Sequence, residues 1–233
     1  MFKTRPKMRG IFVTGTDTSC GKTEIALALM EAMRQSGKVV LGMKPVASGC
    51  ERTPEGLRNQ DARRLQAQGN HQLLYEQVNP YAFKPPIAPH IAADQAGVRI
   101  EPEVIAATAG LLAAESDFLV VEGVGGWHVP LAPSLFASDL PLVLDLPVIL
   151  VSGLRLGCIN HSLLTVESIR LSGARLAGWI ANQIDPDMLV RDENLATLVA
   201  LIDAPCLGLV PRMPFPDPRQ IAEHLDLTPL LTG

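Results

Sequence analysis

Residues 14–29, TGTDTSCGKTEIALAL, lead from a short apolar run into a helical pattern. The Gly-Lys-Thr triplet at residues 21–23 is typical of a phosphate-binding loop, in which four residues usually separate the first glycine from the triplet. Here five residues stand between Gly15 and Gly21. Backbone N–H groups at the start of a helix attract an anion, because the helix dipole is positive there. The stretch therefore predicts a phosphate loop one residue longer than usual, and the alternative is a polar turn without a ligand.

The composition favours one large domain with a sizeable core. Of the 233 residues, 47% are hydrophobic and 19% are charged, so long solvated tracts are not expected. The net charge of −4 argues against a nucleic-acid partner, since binding to a phosphate backbone needs a basic face. No apolar run approaches the length of a membrane span, and the four cysteines are scattered without a metal-binding spacing. These features predict a cytoplasmic protein with reduced thiols, one domain over residues 1–233, and neither a nucleic-acid nor a membrane partner.

Short apolar runs alternate with helical patterns along the chain. Strands are predicted at residues 10–16, 39–44, 117–123, 147–153, 176–182 and 206–211. Helices are predicted at residues 22–36, 60–68, 103–115, 157–172 and 192–202, and the prolines of residues 83–90 (FKPPIAPH) predict an extended loop. Strands that are apolar on both faces and are separated by helices indicate a parallel sheet covered on both sides. The predicted fold class is α/β: a single-domain, doubly wound, mostly parallel sheet of the P-loop NTPase type, which binds ligands beyond the carboxyl ends of its strands.

Charged residues stand at the points where these strands end or helices begin. In the phosphate loop, Lys22 would neutralise β- and γ-phosphate oxygens, and the Thr23 hydroxyl would ligate Mg²⁺. Lys44 follows the second strand, where a cation can meet transferred charge, although a solvated surface lysine is the alternative. Glu122 ends an apolar strand, where an acidic residue commonly serves Mg²⁺, although it could instead cap a turn. Asp61 begins a predicted helix, and spacing alone gives it no role beyond complementing the helix dipole.

Several blocks of the sequence resemble one family when they are taken together and in order. They are GTDTSCGKT, KPVASG, NPYAF, APH, VEGVGGWHVPL, LPVILV, LGCINH and GWIAN, spread between about residues 10 and 211. These blocks closely resemble the dethiobiotin synthetases, the ATP-dependent ring-closing enzymes of biotin biosynthesis. A phosphate loop with five intervening residues is itself characteristic of that family, so the additional residue supports the resemblance.

The resemblance implies a reaction and its substrates. A dethiobiotin synthetase is an ATP- and Mg²⁺-dependent cyclo-ligase that forms C–N bonds, and it acts on 7,8-diaminononanoate (7,8-diaminopelargonic acid) and CO₂. One amine takes up CO₂ as a carbamate, and ATP phosphorylates the carbamate to a carbamic-phosphoric anhydride. The second amine then closes the ureido ring of dethiobiotin, with release of ADP and phosphate. ATP is thus expected as a co-substrate and Mg²⁺ as the cofactor.

The resemblance also assigns roles to residues of this chain. Nucleotide contacts fall on the phosphate loop and two later positions, namely Gly15, Thr16, Asp17, Thr18, Ser19, Cys20, Gly21, Lys22, Thr23, Asn182 and Pro211. Catalytic roles fall on Lys44, Lys22 and Thr18, and Mg²⁺ is expected on Thr23, Asp61 and Glu122. Substrate contacts are expected from Thr18, Lys44, Ser48, Glu122, Gly157, Cys158, Ile159 and Asn160. In the family the last four belong to the partner subunit, where a helix start holds the substrate carboxylate, so a homodimer is implied.

Three alternatives keep the same sheet architecture. One is a related P-loop ATPase or amidoligase that acts on another carboxylate. Another is a nucleotide-dependent switch of the partition-ATPase type, but such proteins usually carry a second lysine early in the phosphate loop, where this chain has Thr16, Asp17 and Thr18. The third is a binding module without turnover, which the presence of both lysines and both carboxylates disfavours. Two segments differ from the family pattern, residues 85–88 and the proline-rich residues 212–220.

Overall fold

The computed structural model describes residues 8–231 of the chain. The strands, in chain order, are β1 (Gly10–Gly15), β2 (Val40–Met43), β3 (Val46–Ala47), β4 (Glu51–Thr53), β5 (Gly56–Arg58), β6 (Tyr81–Ala82), β7 (Phe118–Glu122), β8 (Pro130–Ala132), β9 (Leu135–Phe136), β10 (Val148–Leu154), β11 (Leu176–Gln183) and β12 (Cys206–Val210). The helices are α1 (Lys22–Gln35), α2 (Gln60–Gln68), α3 (Tyr75–Val78), α4 (Pro89–Ala96), α5 (Pro102–Ala114), α6 (Leu140–Leu144), α7 (Cys158–Leu171), α8 (Arg191–Leu201), α9 (Pro218–Ala222) and α10 (Thr228–Leu231), with a short 3₁₀ helix at Ala137–Asp139. Within residues 8–231, none of the helices combines the length and the apolar character needed to cross a membrane.

Six of the strands form one sheet, in the order β12-β11-β10-β1-β7-β2. Every neighbouring pair in this sheet is parallel. The completely buried β1 pairs with β10 on one side and with β7 on the other, so that Val13 lies opposite both Ile149 and Glu122. Parallel neighbours need a long crossover connection, which the helices supply. The doubly wound, parallel sheet predicted from the sequence is confirmed.

Helices cover both faces of this sheet, as the alternation along β10 illustrates. Successive side chains of a strand point to opposite faces. Ile149 and Val151 belong to the larger hydrophobic cluster, which includes residues of α1, α2 and α5. Val148 and Leu150 belong to the other cluster, with Trp179 and residues of α7 and α8. Burial on both faces explains why the strands read as continuous apolar runs in the sequence.

The boundaries predicted from the sequence for the six main strands and five of the helices lie within one residue of the observed ones. One prediction is wrong in part: the segment 83–90 is not extended throughout, because α4 begins at Pro89. Proline suits the first position of a helix, since its φ is already helical and its missing N–H would have no partner there. The short α3, α6, α9 and α10 were not predicted.

Three pairs of short strands lie outside the main sheet and were not predicted either. β4 and β5 form an antiparallel hairpin, β8 and β9 form another, and β3 pairs with β6 in parallel. At two or three residues each, these strands are too short for hydrophobic periodicity to reveal them. The pair β3–β6 matters for the site, because β3 directly follows residues 44–45 and connects them to the chain around Tyr81.

A methyl group added at Gly10 tests how tightly β1 and β7 are packed. A Cβ atom there would lie 2.2 Å from the main-chain oxygen of Leu119, so the two strands would have to move apart. We expect Gly10→Ala to lower the free energy of unfolding by about 1–3 kcal/mol, the usual cost of overpacking. Urea unfolding followed by circular dichroism measures this change.

The matched control is Gly110→Ala in the middle of α5. A Cβ atom at Gly110 would meet nothing within 4 Å. Because alanine is favoured over glycine inside a helix by about 0.5–1 kcal/mol, this variant should be more stable than the parent. A Gly10→Ala variant as stable as the parent would contradict the close pairing of β1 and β7.

Candidate active site

The phosphate loop connects the end of β1 to the start of α1 at Lys22. Two of its residues have a left-handed backbone, Ser19 with φ 62° and Gly21 with φ 92°. Glycine is required at position 21 both by this φ and by space, since a Cβ atom there would lie 2.0 Å from Asn182 Nδ2. The loop therefore packs against the end of β11, and Gly21 permits this contact because it has no Cβ atom.

Cys20 forms the base of the loop. Its side chain is only 1% exposed, and its Sγ would lie 2.3 Å from a Cβ atom added at Gly15. A Cβ atom at Gly153, near the end of β10, would lie 3.0 Å from Cys20 Cβ. Asn182 Nδ2 donates to the main-chain oxygen of Cys20 over 2.8 Å. Glycines on two neighbouring strands thus leave the space in which the longer loop is anchored.

The ammonium of Lys22 is held against the loop at the start of α1. Lys22 is 7% exposed, and its Nζ donates to the main-chain oxygen of Asp17 over 2.8 Å. The Asp17 carboxylate accepts from the N–H of Thr18 over 2.7 Å. A positive charge at a helix start, where the dipole also favours an anion, is suited to phosphate.

Four predicted site residues meet where β2 and β7 end and α2 begins. Lys44 Nζ lies 2.6 Å from Glu122 Oε1 and 3.1 Å from Asp61 Oδ2. The Thr23 hydroxyl donates to the same Glu122 oxygen over 2.8 Å. Lys44 and Glu122 are buried, whereas the Asp61 side chain is 39% exposed. The structure therefore brings together residues that are 99 positions apart in the chain.

The two carboxylates of this cluster stabilise the charged form of Lys44. Burial by itself would lower the pKa of Lys44, but the attraction of Glu122 and then of Asp61 outweighs it, so that the pKa lies above its ordinary value. Lys44 consequently keeps its proton at neutral pH and presents a fixed positive charge. Glu122 Oε2 is buried without a hydrogen-bond partner among the described residues. A buried carboxylate oxygen of this kind is a natural place for a cation or a further donor.

The donor set of Thr23, Asp61 and Glu122 fits Mg²⁺ shared with phosphate. All three offer oxygen, and in phosphate-transfer sites Mg²⁺ takes one or two carboxylates and completes its shell with phosphate oxygens and waters. In the described part of the chain, no group of three or more His, Cys, Asp or Glu side chains is placed to hold a metal by itself. A metal ion held by Thr23, Asp61 and Glu122 would therefore need further ligands, such as phosphate oxygens and waters.

These residues line one cleft of about 720 Å³. The predicted site residues that line it are Thr18, Ser19, Gly21, Lys22, Thr23, Lys44, Ser48, Asp61 and Glu122. Another part of the wall comes from residues 86–89, which overlap the segment 85–88 that differs from the family pattern. The Ser48 hydroxyl is buried and has no hydrogen-bond partner among residues 8–231, so it is available to a ligand. A second cavity of about 560 Å³ lies near Met8, α5 and α6, and none of the predicted site residues lines it.

The residues predicted for the base and for the substrate carboxylate lie outside the lining of this cleft. Asn182 is opposite Val210 in the sheet, so Pro211 follows directly beside it at the ends of β11 and β12. Residues 157–160 lie at the start of α7, where Asn160 is exposed. The structure thus brings most of the residues predicted for phosphate, Mg²⁺ and carbamate into one cleft. Asn182 contacts the phosphate loop without lining this cleft, and residues 157–160 do not line it either.

Two ion pairs near the loop were not predicted. Arg155, the first residue after β10, pairs with the Asp17 carboxylate of the phosphate loop. The position directly after a strand was the signal that could have identified it. Arg64 makes two hydrogen bonds to Glu24, and both side chains line the cleft. Helical spacing could have identified Arg64, because it lies one turn after Asp61 on α2 and therefore on the same face of the helix.

Arg155 neutralises Asp17 beside the expected phosphates, so its removal should weaken nucleotide binding. The side chains of Arg155 and Asp17 are 41% and 48% exposed, so solvent screens the effect. We expect the affinity of Arg155→Ala for ATP to fall about fivefold, in keeping with about 1 kcal/mol for a partly exposed pair. Isothermal titration calorimetry with ATP and Mg²⁺ measures it.

Two further variants serve as controls for this prediction. Asp17→Asn in the Arg155→Ala background removes the uncompensated carboxylate and should restore most of the affinity. Arg170→Ala breaks an exposed pair with Asp203 near the other end of α7 and should leave the affinity unchanged. A loss that the double variant fails to repair would show that Arg155 does not act by neutralising Asp17.

The fold has relatives among solved structures of low sequence identity. The cell division protein MinD of Aquifex aeolicus matches with a TM-score of 0.56 at 15% identity, covering 92% of this chain and 93% of that one. The septum site-determining protein MinD of Pyrococcus horikoshii, complexed with Mg-ADP, matches with a TM-score of 0.53 at 15% identity, covering 97% and 90%. At these identities the likeness concerns the fold alone.

Sequence relatives are much closer. Residues 9–219 match the family model described as an AAA domain. The chain is 53% identical over 227 residues to the ATP-dependent dethiobiotin synthetase BioD of Pseudomonas aeruginosa PAO1, covering 97% of this chain and 100% of that protein. It is 52% identical over 223 residues to the protein of the same name from Cellvibrio japonicus, covering 96% and 98%. On these matches, this chain belongs to the family of ATP-dependent dethiobiotin synthetases.

Proposed function

We propose that this chain is an ATP-dependent cyclo-ligase that closes the ureido ring of dethiobiotin from 7,8-diaminononanoate and CO₂. The observation that carries the proposal is the Lys44 ammonium, held between Glu122 and Asp61 in the cleft that the phosphate loop lines. A fixed cation at this place can stabilise charge that passes from a triphosphate to an acceptor. The relatives indicate the acceptor, because proteins about half identical to this chain are named ATP-dependent dethiobiotin synthetases.

The phosphates of ATP would lie on the loop at residues 15–23, with Lys22 on the β- and γ-phosphate oxygens. Support comes from the buried ammonium at the start of α1. The base would lie toward Asn182 and Pro211, at the ends of adjacent strands. Because the Asn182 amide nitrogen already bonds the loop, its amide oxygen is the atom that would accept from the base.

Mg²⁺ would be held by Thr23, Asp61 and Glu122 together with the phosphates. The three side chains offer only oxygen donors, and Glu122 Oε2 is buried without a partner in the described part of the chain. When bound, the ion would neutralise negative charge on the β- and γ-phosphates. Lys44 contacts two of these three residues, so the cation that meets the transferred group lies beside the metal ligands.

The first chemical step joins one substrate amine to CO₂. The nitrogen lone pair bonds to the carbon of CO₂ and the nitrogen loses a proton, which leaves an anionic carbamate. Lys44 would bind a carbamate oxygen as an ion pair, and the hydroxyls of Thr18 and Ser48 would donate hydrogen bonds to the carbamate or the diamine. Ser48 suits this role because its hydroxyl is buried beside the cleft and lacks a described partner.

Phosphorylation then makes the carbamate oxygen a leaving group. The carbamate oxygen forms the new P–O bond, while the bond from the γ-phosphorus to the oxygen of ADP breaks. Lys22 and Lys44 would stabilise the charge on the transferred group. The second amine attacks the carbonyl carbon, loses a proton and expels phosphate, which closes the ring. Positioning dominates this step, because the amine and the anhydride must be held in one orientation.

The proposed assembly is a homodimer in which each cleft is completed by the other subunit. Residues 157–160 begin α7, and the N–H groups of a helix start can hold the substrate carboxylate without a cationic side chain. On and beside this helix, Leu156, Leu164 and Leu171 are 93%, 57% and 82% exposed, which provides apolar surface for a second subunit. Each subunit would be one domain over residues 1–233. The proposed location is the cytoplasm, which suits four cysteines that are all free.

Incubation with 7,8-diaminononanoate, bicarbonate, ATP and Mg²⁺, followed by mass spectrometry, tests the proposed function. The expected product is the cyclic urea, formed in equal amount with ADP and phosphate. A reaction without the diamine is the control for simple ATP hydrolysis and should yield little ADP. ATP cleavage that does not depend on the diamine, without any cyclic urea, would contradict the proposal.

Replacement of Lys44 by glutamine should reduce kcat far more than it reduces ATP affinity. The amide keeps a hydrogen-bond donor but loses the charge, which matters most while the phosphoryl group is transferred. We expect kcat to fall by about 10²–10³-fold, the usual effect of removing one transition-state donor. Steady-state kinetics and calorimetry with ATP separate the two quantities.

Lys38→Gln is the matched control, because Lys38 precedes β2 at the end of the strand opposite to Lys44. It should have the kcat and the ATP affinity of the parent. If Lys44→Gln instead lost kcat and ATP affinity to the same extent, Lys44 would be only a ground-state nucleotide contact.

Mixing two defective variants tests the shared site. Lys44→Gln disables the cleft of its own subunit, and Asn160→Ala weakens the carboxylate site that its subunit would lend to the partner. In a mixed dimer, one cleft combines an intact Lys44 with an intact Asn160. After random exchange at equal concentrations, about a quarter of the parent activity should return at low diamine concentration, because half of the dimers are mixed. Continued inactivity after verified exchange would place the carboxylate site within one chain.

A further inference from the structure

Three buried polar residues beside the cleft form a connected chain of hydrogen bonds; Asn59, Tyr75 and Asn79 are called the Tyr75 network here. They are 8%, 6% and 2% exposed. The main-chain N–H of Asn59 donates to the Tyr75 hydroxyl over 2.7 Å, and that hydroxyl donates to Asn79 Oδ1 over 2.8 Å. Asn79 Nδ2 donates in turn to the main-chain oxygen of Lys44 over 2.7 Å. The Tyr75 network therefore leads directly to Lys44.

At one end, the Tyr75 network helps to fix the main chain of Lys44. Its carbonyl oxygen accepts from Asn79, and its N–H donates to the main-chain oxygen of Val78 over 2.8 Å. Lys44 stands just beyond the last residue of β2, so these two bonds continue the restraint that the sheet provides up to Met43. The direction in which the Lys44 side chain leaves the strand depends on them.

At the other end, the Tyr75 network fixes the start of α2. Asn59 is the N-cap of this helix, and its Oδ1 accepts from the N–H of Ala62 over 3.2 Å. Asp61 is the second residue of α2, and its carboxylate lies 3.1 Å from Lys44 Nζ. The Tyr75 hydroxyl thus lies between the two main-chain segments whose side chains meet in the cleft.

Tyr75 is suited to this place because its hydroxyl both accepts and donates. Burial raises the pKa of the phenol above its ordinary value, so the hydroxyl keeps the proton that it donates to Asn79. The Arg58 guanidinium lies 4.2 Å from the ring centroid, which holds the ring in place independently of the hydroxyl. Phenylalanine would keep the ring contact and lose only the hydrogen bonds.

We propose that Tyr75 and Asn79 are positioning residues for phosphoryl transfer, which hold Lys44 at the place relative to Asp61 that the reaction needs. Neither residue lines the cleft, so both would act through Lys44 and α2. The proposal rests on the proposed function, because it requires Lys44 to meet the charge of the transferred group. A displacement of about 1 Å caused by a remote change can reduce an enzymatic rate by about 10²-fold.

The test compares the two tyrosines of the chain. Tyr81 is 8% exposed, and its hydroxyl likewise accepts from a main-chain N–H, that of Glu101, over 3.0 Å. Tyr75→Phe should lower kcat for cyclic urea formation by about 10- to 100-fold and leave the Kd of ATP unchanged. Tyr81→Phe should keep the parent kcat. Both variants should fold with a lower Tm. The loss should be larger for Tyr75→Phe, which leaves the Asn59 N–H and Asn79 Oδ1 without this partner, than for Tyr81→Phe, which leaves only the Glu101 N–H.

A second variant checks that the loss of kcat does not come from impaired folding alone. Asn79→Ala removes the amide that reaches Lys44, and it should reproduce the loss of kcat. The double variant with Tyr75→Phe should lose no more than the worse single variant, because two members of one chain of bonds are not independent. Losses that multiply would show that the two residues act separately.

The outcomes separate this inference from the proposed function. A parent enzyme that makes no cyclic urea would overturn the proposed function. An active parent whose Tyr75→Phe variant keeps kcat, or loses it only as much as Tyr81→Phe does, would overturn the positioning role. A Tyr75→Phe variant that loses ATP affinity in proportion to kcat would also overturn it, because that pattern indicates general damage to the fold.

Discussion

One buried ammonium between two carboxylates is the interaction on which the rest of the site depends. Lys44 and Glu122 are 5% and 1% exposed, and burial of either charge alone would cost several kcal/mol. Their pairing, with Asp61 as the third member, keeps the pKa of Lys44 above its ordinary value despite burial. Loss of Lys44 would leave the buried Glu122 carboxylate uncompensated, and loss of Glu122 would leave the buried ammonium paired only with the more exposed Asp61. The fold must therefore bring the ends of β2 and β7 and the start of α2 together.

The parallel sheet meets this requirement by ending its strands along one edge. β7 lies between β1 and β2, so Glu122 comes between the phosphate loop and Lys44. On the other side of β1, β10 and β11 lead to Arg155 and Asn182, which both contact the loop. The loop is thus supported from one side of β1 and faces its charged partners on the other. This division suits the proposed function, in which a nucleotide meets a second, anionic substrate.

The sequence alone predicted those parts of the molecule that a local pattern of residues reveals. Long apolar strands located the sheet, and Lys44 and Glu122 could be predicted because each stands where such a strand ends. Asp61 could not be chosen from spacing, since a carboxylate at a helix start has an ordinary role in complementing the dipole, and only the family resemblance selected it. Arg155 had the same positional signal as Lys44 and was missed. The Tyr75 network and the two- and three-residue strands could not be predicted, because they depend on contacts between distant main-chain groups.

Transfer of oxygen-18 shows whether a phosphoryl group passes to a carbamate made from CO₂. The enzyme would be supplied with CO₂ labelled at both oxygens and quenched before the label exchanges with water. We expect one oxygen-18 atom in each phosphate released and the other in the ureido carbonyl, because the carbamate oxygen that attacks phosphorus leaves with it. Unlabelled phosphate formed together with the cyclic urea would rule out phosphorylation of the carbamate.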